Sequence, residues 1–268
     1  MLSHAAVFWD DEMESTSSPF FYEPHFTNGV YAFDTAVKFS GTASIRVNFP
    51  STCDITNSNL VGQCGGSVTR TFPPSTSVYK RVYFRMSGSG PDPTTSGFFH
   101  TAQLSSTKML KGETNIDDAG ATETAGSSRH WWQMGKVRNP ATPTGSRGFL
   151  VSMENVPVRF STTDVFSSIS LQDNRWYCIE THEQMNTPGV ANGIAEAWVD
   201  GVQVLNRTNV IWQRAGSNRA WKEFSLMRQN GAGNFWWDRF AAGDTRIGCL
   251  GATPDSNPPA SPQRLVIR

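Results

Sequence analysis

The stretch Trp176-Tyr-Cys-Ile-Glu-Thr-His-Glu-Gln-Met-Asn-Thr-Pro-Gly-Val-Ala-Asn-Gly-Ile-Ala-Glu-Ala-Trp-Val-Asp-Gly-Val-Gln-Val-Leu-Asn-Arg-Thr-Asn-Val210 decides the fold class. Tyr177, Ile179, Thr181, Glu183 and Met185 alternate with Trp176, Cys178, Glu180, His182 and Gln184. A side-chain period of two is the mark of a strand. Residues 186–193 are dense in turn formers, so the chain reverses there. Ile194 to Val199 reads as a second strand. Asp200-Gly201 between two apolar runs signals a tight hairpin, and Val202 to Leu205 opens a third strand.

The same reading extends along the chain. Residues 5–14 and 30–49 read as strands. Residues 50–76 read as a long insertion, and residues 77–86 as a strong strand with Val78, Lys80, Val82, Phe84 and Met86 on one face. Further strands are expected at 98–104, 129–138, 147–154, 168–171, 220–229 and 233–242. Residues 112–128 are polar and acidic and read as a surface loop. No repeat and no helix stands out. The expected fold is an all-β, antiparallel β-sandwich. One domain over residues 1–250 is expected, followed by a proline-rich arm or linker over residues 251–268.

Composition narrows the function classes. Lys plus Arg is 23 and Asp plus Glu is 23, so the net charge is zero. Bulk attraction to nucleic acid or to an anionic membrane is thereby removed, and no nucleic acid partner is expected. No run of apolar residues is long enough for a membrane span. The start, Met1-Leu-Ser-His-Ala-Ala-Val-Phe8, lacks the basic region and long apolar core of a signal peptide. An extracellular or particle-surface location then calls for another route out of the cell, such as release by lysis with a virus particle, or for a leader that this chain lacks. Cys53 and Cys64 bracket a polar loop, where a disulfide would be worth roughly 2–4 kcal/mol. Cys178 and Cys249 fall in expected strands and are open to pairing or to remaining buried thiols.

Three segments carry a resemblance. They are the Glu-x-His strand with Asn186-Thr-Pro-Gly189 and Trp198-Val-Asp-Gly201, the opening Phe8-Trp-Asp-Asp-Glu-Met-Glu14 with Lys38-Phe-Ser-Gly-Thr-Ala-Ser-Ile-Arg-Val-Asn48, and the closing Phe235-Trp-Trp-Asp-Arg-Phe-Ala-Ala-Gly-Asp-Thr-Arg-Ile-Gly-Cys249. Together they resemble the concanavalin A-like jelly rolls of polysaccharide lyases and related glycan-binding, laminin-G-like modules. The resemblance implies a concave groove that holds a polysaccharide. Its implied glycan-binding residues are Gln103, His130, Trp132, Glu180, Gln184 and Arg228. If the chain is a lyase, His100 or His182 would take the proton alpha to a uronate carboxylate. Arg129, Gln103 or Arg228 would hold that carboxylate. Many lyases of this fold use a tyrosine as acid. Tyr177 is expected on the face opposite His182, which departs from that arrangement, and Tyr79 and Tyr83 are the alternatives. The Glu-x-Asp-x-x-Glu pattern of hydrolases with this fold is absent.

The resemblance also implies a structural calcium ion tying the first and last strands, with Asp11, Glu12, Glu14 and Asp238 as candidate ligands. Three readings stay open: polysaccharide recognition without catalysis, β-elimination by a lyase, and a structural or assembly role. In the last, the arm would dock on a protein partner or a second copy.

Overall fold

The computed structural model describes residues 7–14, 21–23, 30–49, 65–87, 106–114, 129–136, 147–154, 171–229 and 233–251. The expected strand at 98–104, the pair Cys53 and Cys64, and the arm beyond residue 251 lie outside them. Among the described residues every regular element is a strand: β1 (Val7–Asp11), β2 (Phe21–Glu23), β3 (Val30–Asp34), β4 (Ser44–Phe49), β5 (Gly65–Ser75), β6 (Ser77–Ser87), β7 (Ser106–Thr114), β8 (Arg129–Lys136), β9 (Arg147–Glu154), β10 (Tyr177–Gln184), β11 (Gly193–Val199), β12 (Val202–Val210), β13 (Trp221–Gln229) and β14 (Gly233–Gly243). One sheet has eight strands in the order β12-β11-β10-β6-β14-β4-β3, with β1 also on β14, and the other has six in the order β2-β5-β13-β7-β8-β9.

Both sheets turn apolar side chains onto one core. Val78, Val82, Phe84, Tyr177, Ile179, Phe235 and Trp237 of the eight-stranded sheet meet Val68, Leu110, Phe224 and Leu226 of the six-stranded sheet. This is the expected antiparallel β-sandwich. Strand β14 pairs with β6 along one edge and divides its other edge between two strands: residues 233–237 pair with β4, and residues 240–243 pair with β1. Between the two halves lies a bulge, with Arg239 at φ 48. The extra residue shifts the alternation so that Phe240 and Ala242 return to the core. The Asp200-Gly201 hairpin forms as the sequence indicates, with φ 51 and 82 at its two central residues, the pair of positive angles a type I′ turn needs.

Two expectations need correction. The segment 50–76 is more than an insertion, because β5 occupies Gly65–Ser75 and pairs with both β2 and β13. Residues 112–114, expected in a loop, belong to β7, which runs to Thr114.

Candidate functional site

Alternation puts polar residues on the outer faces of both sheets. On the six-stranded sheet, Val68, Phe224 and Leu226 face the core, so Ser67, Thr69, Glu223 and Ser225 face away from it. Thr69 of β5, Ser225 of β13 and Lys111 of β7 lie on one cross-strand rung, which continues in register to Trp131 of β8 and Ser152 of β9. The next rung runs Thr71, Glu223, Glu113, Arg129 and Glu154. Side chains link the two rungs. The Thr69 and Ser225 hydroxyls are 2.8 Å apart, Ser225 donates to Glu223 at 3.4 Å, and Lys111 Nζ lies 3.7 Å from Glu223. This row sits low in the face, with Lys111 only 3 % exposed, and it reaches solvent at Thr71 and Glu223.

On the eight-stranded sheet, His182 of β10 stands between its direct cross-strand neighbours, Tyr79 of β6 and Glu196 of β11. The imidazole stacks on the Tyr79 ring at 3.9 Å and 4°. Its Nδ1 is 2.8 Å from Glu196 and its Nε2 is 3.0 Å from the Ser77 hydroxyl. Burial, then the negative charges of Glu196 and Glu180, hold the Tyr79 hydroxyl above its usual pKa. Two residues along β10, Glu180 is 1 % exposed and accepts the backbone N–H groups of Ile247 and Gly248 and the Nε–H of Arg246. Cys178 and Cys249 form a disulfide, and Tyr83 donates to the carbonyl of Leu250. Residues 246–250 are thus clasped across the outside of this sheet, with Arg246 over the Trp198 ring.

A third cluster lies where the first and last strands meet the 39–42 turn. Asp238 Oδ2 accepts the backbone N–H groups of Phe39 and Ser40, while its buried Oδ1 has no hydrogen-bond partner. Burial raises the Asp238 pKa to about 6, Glu14 adding to the rise and the backbone hydrogen bonds opposing it. Glu14 accepts from the backbone and the hydroxyl of Thr42, contacts that hold its own pKa below the usual value. The positive φ of +60 at Gly41 favours glycine there, and a Cβ would push the Glu14 carboxylate aside. Asp11 accepts from the Met13 N–H and pairs with Arg70, and Glu12 pairs with Arg239. Among the described residues no three His, Cys, Asp or Glu side chains gather as a metal shell. A cation here would rest on Asp238, Glu14 and backbone carbonyls. The orphaned Asp238 oxygen fits that donor set.

The candidate residues do not share one face. Arg129, His130 and Trp132 lie on β8 and Arg228 on β13, both in the six-stranded sheet. Glu180, His182 and Gln184 lie on β10, in the other sheet. Trp132 shares its rung with the core residues Leu110, Leu226 and Val68, and His130 is in register with Gly112. His100 and Gln103 lie outside the described residues. Tyr177 is in the core, away from His182 as expected, and its hydroxyl accepts the Gln172 N–H at 2.6 Å. Sequence reasoning passed over Ser77, Glu196, Lys111, Glu223, Thr69 and Ser225. Strand phase alone could have flagged Glu196 and Lys111, but only pairing brings the six into two groups.

The arrangement of strands matches that of several solved structures. An endo-β-1,4-glucuronan lyase from the fungus Trichoderma reesei superposes with a TM-score of 0.58 at 14 % identity, over 90 % of this chain and 96 % of that one. The cellulose-induced protein Cip1 gives 0.56 at 17 % identity, over 90 % and 100 %. An alginate lyase in complex with an alginate tetrasaccharide gives 0.54 at 14 % identity, over 86 % and 98 %. No family model matches the chain, and no curated protein matches it in sequence. The fold is therefore the jelly-roll β-sandwich that these solved structures share. Among the described residues no helix is long and apolar enough to cross a membrane.

Proposed function

We propose that this chain recognises a uronate-containing polysaccharide on the outer face of its six-stranded sheet. The observation that carries the reading is the row Thr69–Ser225–Glu223–Lys111, which crosses three adjacent strands on the face turned from the core. Hydroxyls and a carboxylate suit sugar hydroxyls, and an ammonium suits a uronate carboxylate. The two rungs of the row continue in backbone register to Trp131 and Arg129 on β8. Structures of the same fold include a glucuronan lyase and an alginate lyase holding its tetrasaccharide, which supports an acidic glycan. A glycan array followed by calorimetric titration with oligoglucuronate, oligoalginate and a neutral glucan tests the reading. Binding restricted to the uronates supports it, and binding of the neutral glucan alone removes it.

Lyase activity is the second reading, favoured by the same likeness. Incubation of the protein with each uronan, followed by absorbance of the unsaturated product, separates it from recognition alone.

A structural calcium ion at Asp238 and Glu14 belongs to this reading. It would supply the charge that the unpartnered Asp238 oxygen lacks and would tie β14 to the chain after β1. The Cys178–Cys249 disulfide supports an oxidising, extracellular setting.

A further inference from the structure

On the sheet opposite the glycan face, Ser77, His182 and Glu196 are joined in the order hydroxyl, imidazole, carboxylate. Ser77 Oγ is 3.0 Å from His182 Nε2, and His182 Nδ1 is 2.8 Å from Glu196 Oε2. The direction of the protons follows from the partners. An ionised carboxylate only accepts, so Nδ1 carries the proton. When the ring carries only that proton, Nε2 is a lone pair and the Ser77 hydroxyl is the donor.

Each member is held from outside the chain of bonds. Gln203 donates to the other Glu196 oxygen at 3.0 Å, fixing the carboxylate. Tyr79 lies flat on the imidazole and fixes its plane. His182 is 3 % exposed, so water does not compete for Nε2, while Ser77 is half-buried and keeps an open side. Strand pairing sets the geometry: Tyr79 and Glu196 are the direct neighbours of His182, and Ser77 is its diagonal neighbour on β6. A hydroxyl bonded to an oriented base is the arrangement of an activated nucleophile.

We propose that Ser77 is such a nucleophile and takes an acyl group from short-chain O-acyl esters. Ser77 Oγ attacks the ester carbonyl carbon while its proton moves to His182 Nε2. The carbon–alkoxide bond breaks, the departing alcohol takes that proton, and the acyl group remains on Oγ. Water, deprotonated by the same Nε2, then releases the carboxylic acid and restores the serine. Glu196 is the positioning residue. A short acyl chain is what a half-buried serine admits.

The test is covalent labelling of the whole protein with a fluorophosphonate, read by intact mass and peptide mapping, beside the turnover of p-nitrophenyl acetate. The wild type should be labelled at Ser77, and Ser77→Ala should lose both the label and the turnover. Glu196→Gln keeps an acceptor for Nδ1 but removes the charge. It should fold with an unchanged melting temperature and label at least roughly tenfold more slowly, a modest share of what an oriented base usually contributes. Labelling spread over surface serines with none favoured at Ser77 overturns the proposal. So does a Glu196→Gln variant that is folded and labels at the wild-type rate.

Discussion

Lys80 and Glu183 form an ion pair inside the sandwich, with Nζ 2.7 Å from Oε2 and both side chains essentially without solvent contact. The ammonium also lies 4.1 Å from the centroid of the Phe224 ring, so a charge on the eight-stranded sheet rests against an aromatic of the six-stranded sheet. Burial pushes the Lys80 pKa below its usual value, and Glu183 pulls it back. Removing one partner leaves an uncompensated charge. Glu183→Leu should cost about 3–5 kcal/mol in urea unfolding, and Lys80→Met with Glu183→Leu should recover most of it. The single variant should regain stability as pH rises, because its native state binds fewer protons than the unfolded chain. A loss below about 1 kcal/mol, within the ordinary range for any substitution, would show that the pair is not buried as described.

The Cys178–Cys249 bridge closes a loop of 71 residues, worth about 4 kcal/mol in the chain-entropy account. Glu180 clasps the same segment through Ile247 and Gly248. Two ties on one segment should couple. Cys249→Ala and Glu180→Gln should give a non-additive double-mutant cycle in thermal melts, with the second substitution costing less once the first is made. Strict additivity would mean that residues 246–250 do not leave the sheet as one unit.

Asp238 gives a pH signature. Its folded pKa of about 6 lies above the 3.8 of the free side chain. The native state therefore binds the extra proton, and stability without added metal should fall as pH rises across that window. Asp238→Asn should flatten the fall. Calcium binds the ionised carboxylate, so it should raise Tm above about pH 6 in the wild type and leave Asp238→Asn unmoved. A calcium-induced rise of equal size in both proteins would place the ion elsewhere.

Much of the fold is legible in strand phase. Tyr177, Ile179 and Met185 share a face and are core, while Cys178, Glu180 and His182 alternate with them and lie outside. Lys80 and Glu183 are also visible in the sequence as charges in phase with apolar neighbours. Strand β5 was harder, since Gly65-Gly66 and Pro73-Pro74 are breaker signals around a short alternation from Val68 to Phe72. The site was less legible for a different reason. Period two tells which residues of one strand share a face, but nothing local tells which strands share a sheet. Hence Arg129 and His182 read as one groove, although β8 pairs with β7 and β9 while β10 pairs with β6 and β11. The covering of Glu180 by residues 246–250 depends equally on contacts distant in sequence.

The measurement that bears most directly on the proposed function is calorimetric titration of oligoglucuronate into wild type and Lys111→Ala, with a thermal melt of each as control. The row on the six-stranded sheet predicts saturable binding by the wild type and at least a tenfold weaker Kd for the variant, about 1.4 kcal/mol, with both proteins folded. No uronate binding by the wild type, or the same Kd in both proteins, would contradict it.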